Sequence, residues 1–119
     1  MQYRNAEDRL NPIPGPDADE TTLGGYTAIH GRAPGFDGSD GSPYTVALET
    51  EWTEAGSFAG YLIFVRWAGG GSAIMGHMDS DDLASGPTDD GVRDTLGALP
   101  LARVKDLLEE LIARRNEEE

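Results

Sequence analysis

The segment covering residues 58–68 constrains the fold more than any other part of the chain, because its alternate positions are apolar on both sides. Its large side chains fall into two sets, Tyr61, Ile63, Val65 and Trp67 on one face and Phe58, Leu62 and Phe64 on the other. Successive side chains of a β-strand point to opposite faces of the sheet. The segment is therefore predicted to be a central strand that is covered on both faces.

Three further strands are predicted around this one. Residues 44–52 alternate apolar and polar side chains, which is typical of a half-exposed antiparallel strand. Residues 26–32 are β-permissive and lead into a long hairpin loop at 33–43 that is rich in glycine and proline. Glycines at 69–71 form a turn, and residues 72–78 follow it as the fourth strand.

The end of the chain predicts two helices. Thr88 suits a helix N-cap, and the short helix that it begins runs to Ala98. Pro100 is well placed as the first residue of a second helix. Apolar residues recur there at helical spacing, at Leu101, Val104, Leu107, Leu108, Leu111 and Ile112. Strands followed by helices indicate an α+β fold, an antiparallel four-stranded β-meander with two C-terminal helices packed on one face.

Helices on one face leave the second apolar face of the central strand without a cover. The N-terminal leader, the long hairpin loop or a second copy of the chain in a homodimer are the open alternatives. The candidate partner-binding residues are Phe58, Leu62, Phe64 and Arg66. Arg66 stands among apolar residues, so it needs solvent, a partner, or a carboxylate such as Glu49 or Glu51.

The 119 residues fit a single domain. Residues 1–24 hold prolines and acidic residues without helical or strand spacing, and they are predicted to be a flexible leader. The α+β domain is predicted at residues 25–115, and a frayed acidic tail at residues 116–119.

Acidic residues dominate the charge of the chain. Asp and Glu number 22 and Lys and Arg number 9, which gives a formal charge of −13. A chain of this charge repels phosphate backbones and anionic membrane surfaces, so neither nucleic acid nor a membrane is expected as a ligand. The composition is typical of proteins from salt-adapted organisms. It also suits a mimic of nucleic-acid charge or a ligand for a basic partner protein.

The absence of cysteine excludes disulfides, thiolate metal ligands and a cysteine nucleophile. The first ten residues lack the basic start and the apolar run of a secretory signal. The longest apolar run, residues 61–65, is far too short to span a membrane. A cytoplasmic location is therefore predicted.

One cluster of residues has the chemistry of a metal site. His77, Asp79 and Asp81 occupy alternate positions, which point the same way if the strand continues that far. His30 on the predicted first strand could join them. An imidazole with two carboxylates suits a divalent cation, which could activate water in a metal-dependent hydrolase. If the strand has ended by Asp79, the carboxylates belong instead to a solvated loop.

Short segments at residues 44–49, 58–62 and 85–90, followed by a helix, resemble HicB-type antitoxin domains, in which a short meander leads into a Gly-x-Thr helix start. The connection from Phe64 to Ala84 is longer than in that family, and the Pro-Asp-Leu-Pro-Gly-Cys turn of the family is absent. The resemblance implies an antitoxin-like module only by loose analogy, and no residue role is carried over.

No nucleophilic or phosphate-binding motif supports catalysis. The chain lacks a Gly-x-Ser-x-Gly elbow, and the glycines at 69–71 lack the lysine and the following helix of a P-loop. The sequence therefore favours a non-catalytic accessory or regulatory module that binds another protein and uses no cofactor. The alternative is a small protein that binds a divalent metal, or a metal-dependent hydrolase, built on the histidine and aspartate cluster.

Overall fold

A computed structural model describes residues 19–118. The elements in chain order are α1 (Leu23–His30), β1 (Gly35–Asp37), β2 (Pro43–Trp52), β3 (Phe58–Trp67), β4 (Ile74–Asp79), β5 (Ala84–Gly86), α2 (Asp89–Gly97) and α3 (Leu101–Glu118). This arrangement confirms the predicted α+β class, with an antiparallel four-stranded path and helices at the C-terminus. Residues 1–18 of the predicted leader, and Glu119, lie outside the described residues.

The sheet has the order β1-β2-β3-β4, and every pair in it is antiparallel. The fifth strand, β5, pairs with the first residues of β3, on the same side as β4. The central position predicted for the segment at 58–68 is therefore confirmed. Its register places Phe64 between Val46 on β2 and Met78 on β4.

One face of the sheet, called here the inner face, carries the hydrophobic core. Buried side chains of β2 and β3 pack there against the apolar stripe of α3, as its spacing predicts; the cluster contains Leu23, Tyr44, Val46, Leu62, Phe64, Val104, Leu107, Leu108, Leu111 and Ile112. Helix α2 packs beside it at Gly60, where an added Cβ would lie 2.8 Å from Leu96 Cδ1. A side chain at Gly60 would therefore push α2 away from the sheet.

The two C-terminal helices form where the sequence predicts them. The Thr88 hydroxyl accepts a hydrogen bond from the Gly91 amide at 3.0 Å, which satisfies a free donor at the start of α2. Asp89 and Asp90 in the first turn favour the positive end of the helix dipole. Helix α3 extends to Glu118, so residues 116–118 of the predicted frayed tail are helical.

The first predicted strand, at residues 26–32, is wrong, because Leu23–His30 forms helix α1. The Thr22 hydroxyl caps this helix by accepting from the Gly25 amide, and Gly31 ends it with a φ of 66°. Gly24 packs against the backbone of Gly97, and an added Cβ there would lie 3.1 Å from the Gly97 carbonyl oxygen. The helix is thus set by its caps and by a close backbone contact, and it begins inside the segment predicted to be the leader.

Candidate functional site

The face of the sheet opposite the helices, called here the outer face, carries a row of large side chains along β3. These are Tyr61, Ile63, Val65 and Trp67, all of them only half-buried. Thr45 and Ala47 of β2 flank the row on one side, and His77 and Asp79 of β4 flank it on the other. None of the helices described in residues 19–118 contributes to the core on this side, so within the described chain the row stays half-buried.

The predicted partner-binding residues lie on the covered side of β3 or at its ends. Leu62 and Phe64 are 0% exposed in the core, so they are unavailable to a partner. Phe58 packs edge to face against Trp52, with ring centroids 5.0 Å apart. Within residues 19–118, the helices therefore cover the face that the sequence assigned to a partner. The α3 stripe packs on Leu62 and Phe64, and Gly60 makes room for α2.

Arg66 finds a different partner from the predicted carboxylates of Glu49 and Glu51. Its Nε donates a hydrogen bond to Ser42 Oγ at 3.0 Å, and the residue lies opposite Tyr44 in the sheet register. The glutamates face outward on β2, further along the strand. Arg66 is thus held at the end of β3 next to the loop that precedes β2.

Carboxylates surround the outer row. Glu49 lies opposite Tyr61, and Asp79 lies opposite Ile63. Burial raises the pKa of Tyr61, and the negative charges of Glu51, Asp79, Glu49 and Asp82 raise it further. The same charges make the potential over the row negative, so the outer face combines apolar surface with attraction for cations.

A groove of about 470 Å³ lies beside Trp67, at the end of the sheet where β1 pairs with β2. Trp67 and Pro43 contribute to its lining, together with Phe36 of β1 and Gly71 of the turn between β3 and β4. The Trp67 indole is fixed by a hydrogen bond from Nε1 to Thr45 Oγ1 at 2.9 Å. Sequence reasoning missed this groove, although the tryptophan next to the glycine turn was a visible signal.

The predicted metal ligands are divided between three places. His77 Nδ1 and Asp79 Oδ1 lie 2.9 Å apart on β4, with side chains that are 65% and 48% exposed. Asp81 instead faces Arg114, with 3.7 Å between Oδ2 and Nη1. His30 lies on α1, 3.3 Å from Glu20. Across residues 19–118, no group of three histidine or acidic side chains is placed to hold a metal ion.

A polar cluster away from the outer face fixes the loop between β1 and β2. Asp40 Oδ2 accepts hydrogen bonds from Tyr44 Oη at 2.6 Å and from Arg115 Nη2 at 2.7 Å. Burial raises the pKa of Asp40, but the hydrogen bonds from Tyr44, Arg115 and the Ser42 amide outweigh it and lower the pKa to about 2. The cluster joins the loop to the end of α3, which is a structural role.

Comparison of the chain with protein-family models, with curated proteins and with solved structures finds no match. In the part of the chain from residue 19 to residue 118, no helix is both long and apolar enough to cross a membrane.

Proposed function

We propose that this protein is a non-catalytic binding module that binds a basic segment of another protein on its outer face. The observation that carries the proposal is the half-buried row formed by Tyr61, Ile63, Val65 and Trp67. Large contiguous apolar patches are rare on the surface of monomeric proteins, and where they occur they mark interaction sites. Aromatic residues in particular supply much of the energy of protein interfaces.

Charge supports the choice of a basic partner. Glu49, Glu51, Asp79 and Asp82 border the row, and the whole chain carries a charge of −13. Complementary charge accelerates association and selects the partner, whereas apolar contact supplies most of the affinity. A partner with lysine or arginine around an apolar centre would match both properties. A cytoplasmic location belongs to the same proposal, since the chain has no cysteine.

The test uses a displayed library of random peptides, selected on the immobilised protein at low salt. Peptides of net positive charge should be enriched, and their affinity should fall as salt concentration rises. Enrichment of neutral or acidic peptides, or affinity that is independent of salt, would contradict the proposal.

Variants locate the binding surface. The double substitution I63T/V65T removes apolar area from the outer face and keeps two β-branched residues in the strand. We expect it to weaken binding of the selected peptides by about tenfold or more. Ile29→Thr is the matched control, since Ile29 is an exposed apolar residue on α1. Equal effects of the two changes would show that the outer row is not the binding surface.

A further inference from the structure

Strand β2 has one edge that is only partly paired. Strand β3 runs along the whole of one edge, from Tyr44 opposite Arg66 to Trp52 opposite Phe58. On the other edge, β1 pairs only with Pro43–Thr45. Beyond Thr45, no strand of residues 19–118 lies against this second edge. We call the stretch from Val46 to Thr50 on this side the open edge.

The backbone groups of the open edge point away from the sheet. The Thr53 amide donates to the Ser57 carbonyl across the turn to β3, and backbone groups of alternate residues point to opposite sides of a strand. The amides and carbonyls of Val46, Leu48 and Thr50 therefore face this edge. Val46 is 2% exposed and already covered, whereas Leu48 and Thr50 are only half-buried, so these two residues offer the accessible backbone groups. Within the described chain, no backbone hydrogen bond from a neighbouring segment satisfies them.

A groove of about 420 Å³ runs beside the open edge, between β2 and α1. Helix α1 and the loop after it line it with small side chains and one leucine, at Leu23, Gly24, Thr27, Ala28 and Ala33. Val46, Ala47 and Leu48 form the other wall. A strand placed against the open edge would have room for its inward side chains in this groove.

The opposite edge of the sheet has a different character. The pairing of β4 with β3 shifts between Arg66 and Trp67, and Gly76 has a φ of 150°. The chain then leaves the strand conformation at residues 80–83 before β5 begins. Bulges and breaks of this kind protect an edge from pairing with another chain. The open edge of β2 has no bulge, no proline and no lysine.

We infer that the open edge of β2 binds an extended basic segment of a partner protein as an added β-strand. This inference rests on the proposed function and adds to it the place and conformation of one segment of that partner. Backbone hydrogen bonds to Leu48 and Thr50 would supply affinity. Alternate side chains of the added strand would enter the groove or lie on the outer face beside Glu49 and Glu51. The first set should be apolar and the second set should be lysine or arginine.

Charge argues against a second copy of the chain as the occupant. Antiparallel pairing of two open edges that leaves β1 in place brings Glu49 or Glu51 of one copy opposite or diagonal to a glutamate of the other. Like charges in these positions destabilise a pair of strands. The same glutamates attract a basic segment, so they select the partner as well as prevent self-association.

The test uses a synthetic peptide of alternating lysine and valine, about eight residues long, which matches the length of a strand. Binding is measured by fluorescence anisotropy, and a peptide of alternating glutamate and valine is the control. Two further peptides carry N-methyl groups on the valine amides or on the lysine amides. An added antiparallel strand directs its groove-facing residues, the valines, to β2, so valine N-methylation should weaken binding by about tenfold or more. Lysine N-methylation should leave it unchanged.

If binding is weakened only by N-methylation of the lysine amides, the added strand is parallel to β2. This result would still support pairing at the open edge. Equal effects of the two N-methylated peptides would overturn the inference while leaving the proposed function standing. Failure of every basic peptide to bind would overturn both. If the glutamate peptide binds as tightly as the lysine peptide, the proposal that the bound segment is basic is overturned.

Amide hydrogen exchange tests the same contact by measuring the amides of the protein instead of those of the peptide. The amides of Leu48 and Thr50 should gain protection when the lysine and valine peptide is added, whereas those of Ala47 and Glu49, which face β3, should not change. Ala28→Phe fills the groove and should weaken binding, and Ala113→Phe, at an exposed position of α3, is the control. Absence of new protection at the amides of Leu48 and Thr50 refutes strand addition.

Discussion

Removal of the Asp40 charge should destabilise the protein by an amount that depends on pH. The Asp40 side chain is 12% exposed, and its pKa is about 2, against 3.8 for an ordinary aspartate. A difference of this size corresponds to about 2 kcal/mol at neutral pH, and solvent screening around Arg115 reduces it to about 1 to 2 kcal/mol. Asp40→Asn should lose this contribution at pH 7.

The pH dependence has a definite direction. Because the folded state lowers the pKa of Asp40, its contribution is complete above the unfolded value of 3.8 and is lost as the pH falls towards 2. The wild-type protein and Asp40→Asn should therefore differ most at neutral pH and converge in acid. Urea denaturation at a series of pH values measures the difference in unfolding free energy.

Two comparisons separate the charge from other effects. Asp106→Asn changes an exposed aspartate on α3 and should alter stability by less than about 0.5 kcal/mol at any pH. Tyr44→Phe removes only the hydroxyl that donates to Asp40, and the double variant should show coupling between the two residues. A difference between wild type and Asp40→Asn that stays constant from neutral pH to acid would refute the reasoning.

Two other substitutions test the packing of the inner face. Leu108 is fully buried in the core, so Leu108→Ala should cost about 2 to 5 kcal/mol in urea denaturation; a loss near zero would mean that the α3 stripe does not face the sheet. Gly60→Ala adds a methyl group that collides with Val92 and Leu96 of α2. It should lower the free energy of unfolding by about 1 to 3 kcal/mol and reduce the protection of α2 amides from hydrogen exchange. Ala55→Gly, in the turn before β3, is the control and should leave the protection of α2 amides unchanged. Gly56 is unsuitable because its φ is positive, which strains any other residue at that position.

Periodicity was sufficient to predict the strands and helices whose side chains follow a regular pattern. Residues 44–52 alternate, and the α3 stripe repeats at helical spacing, so each element reveals which side it buries. The capping of α2 by Thr88 was equally local. These features depend on residues within a few positions of one another, so they can be predicted from the sequence alone.

The sequence could not show which face of β3 the helices cover and which is the outer face, because both faces of this strand are apolar. The side chains alone do not say which set the helices cover. The deciding residue is Gly60, which lies on the inner face and lets α2 approach, and its meaning depends on contacts with Val92 and Leu96 far along the chain. The predicted metal cluster failed to assemble for a related reason, since His30 lies on a helix rather than on a neighbouring strand.

The error at residues 26–32 bears directly on the proposed interaction. A strand in that segment would have been available to pair along β2, which would have satisfied the amides of Val46, Leu48 and Thr50. The caps at Thr22 and Gly31 and the contact of Gly24 with Gly97 make the segment a helix instead. Among residues 19–118, the short strand β1 is then the one segment that pairs with β2 on this edge, and it covers three residues. The choice of helix over strand thus creates both the open edge and the groove beside it, and a partner that supplies the missing strand would complete the sheet.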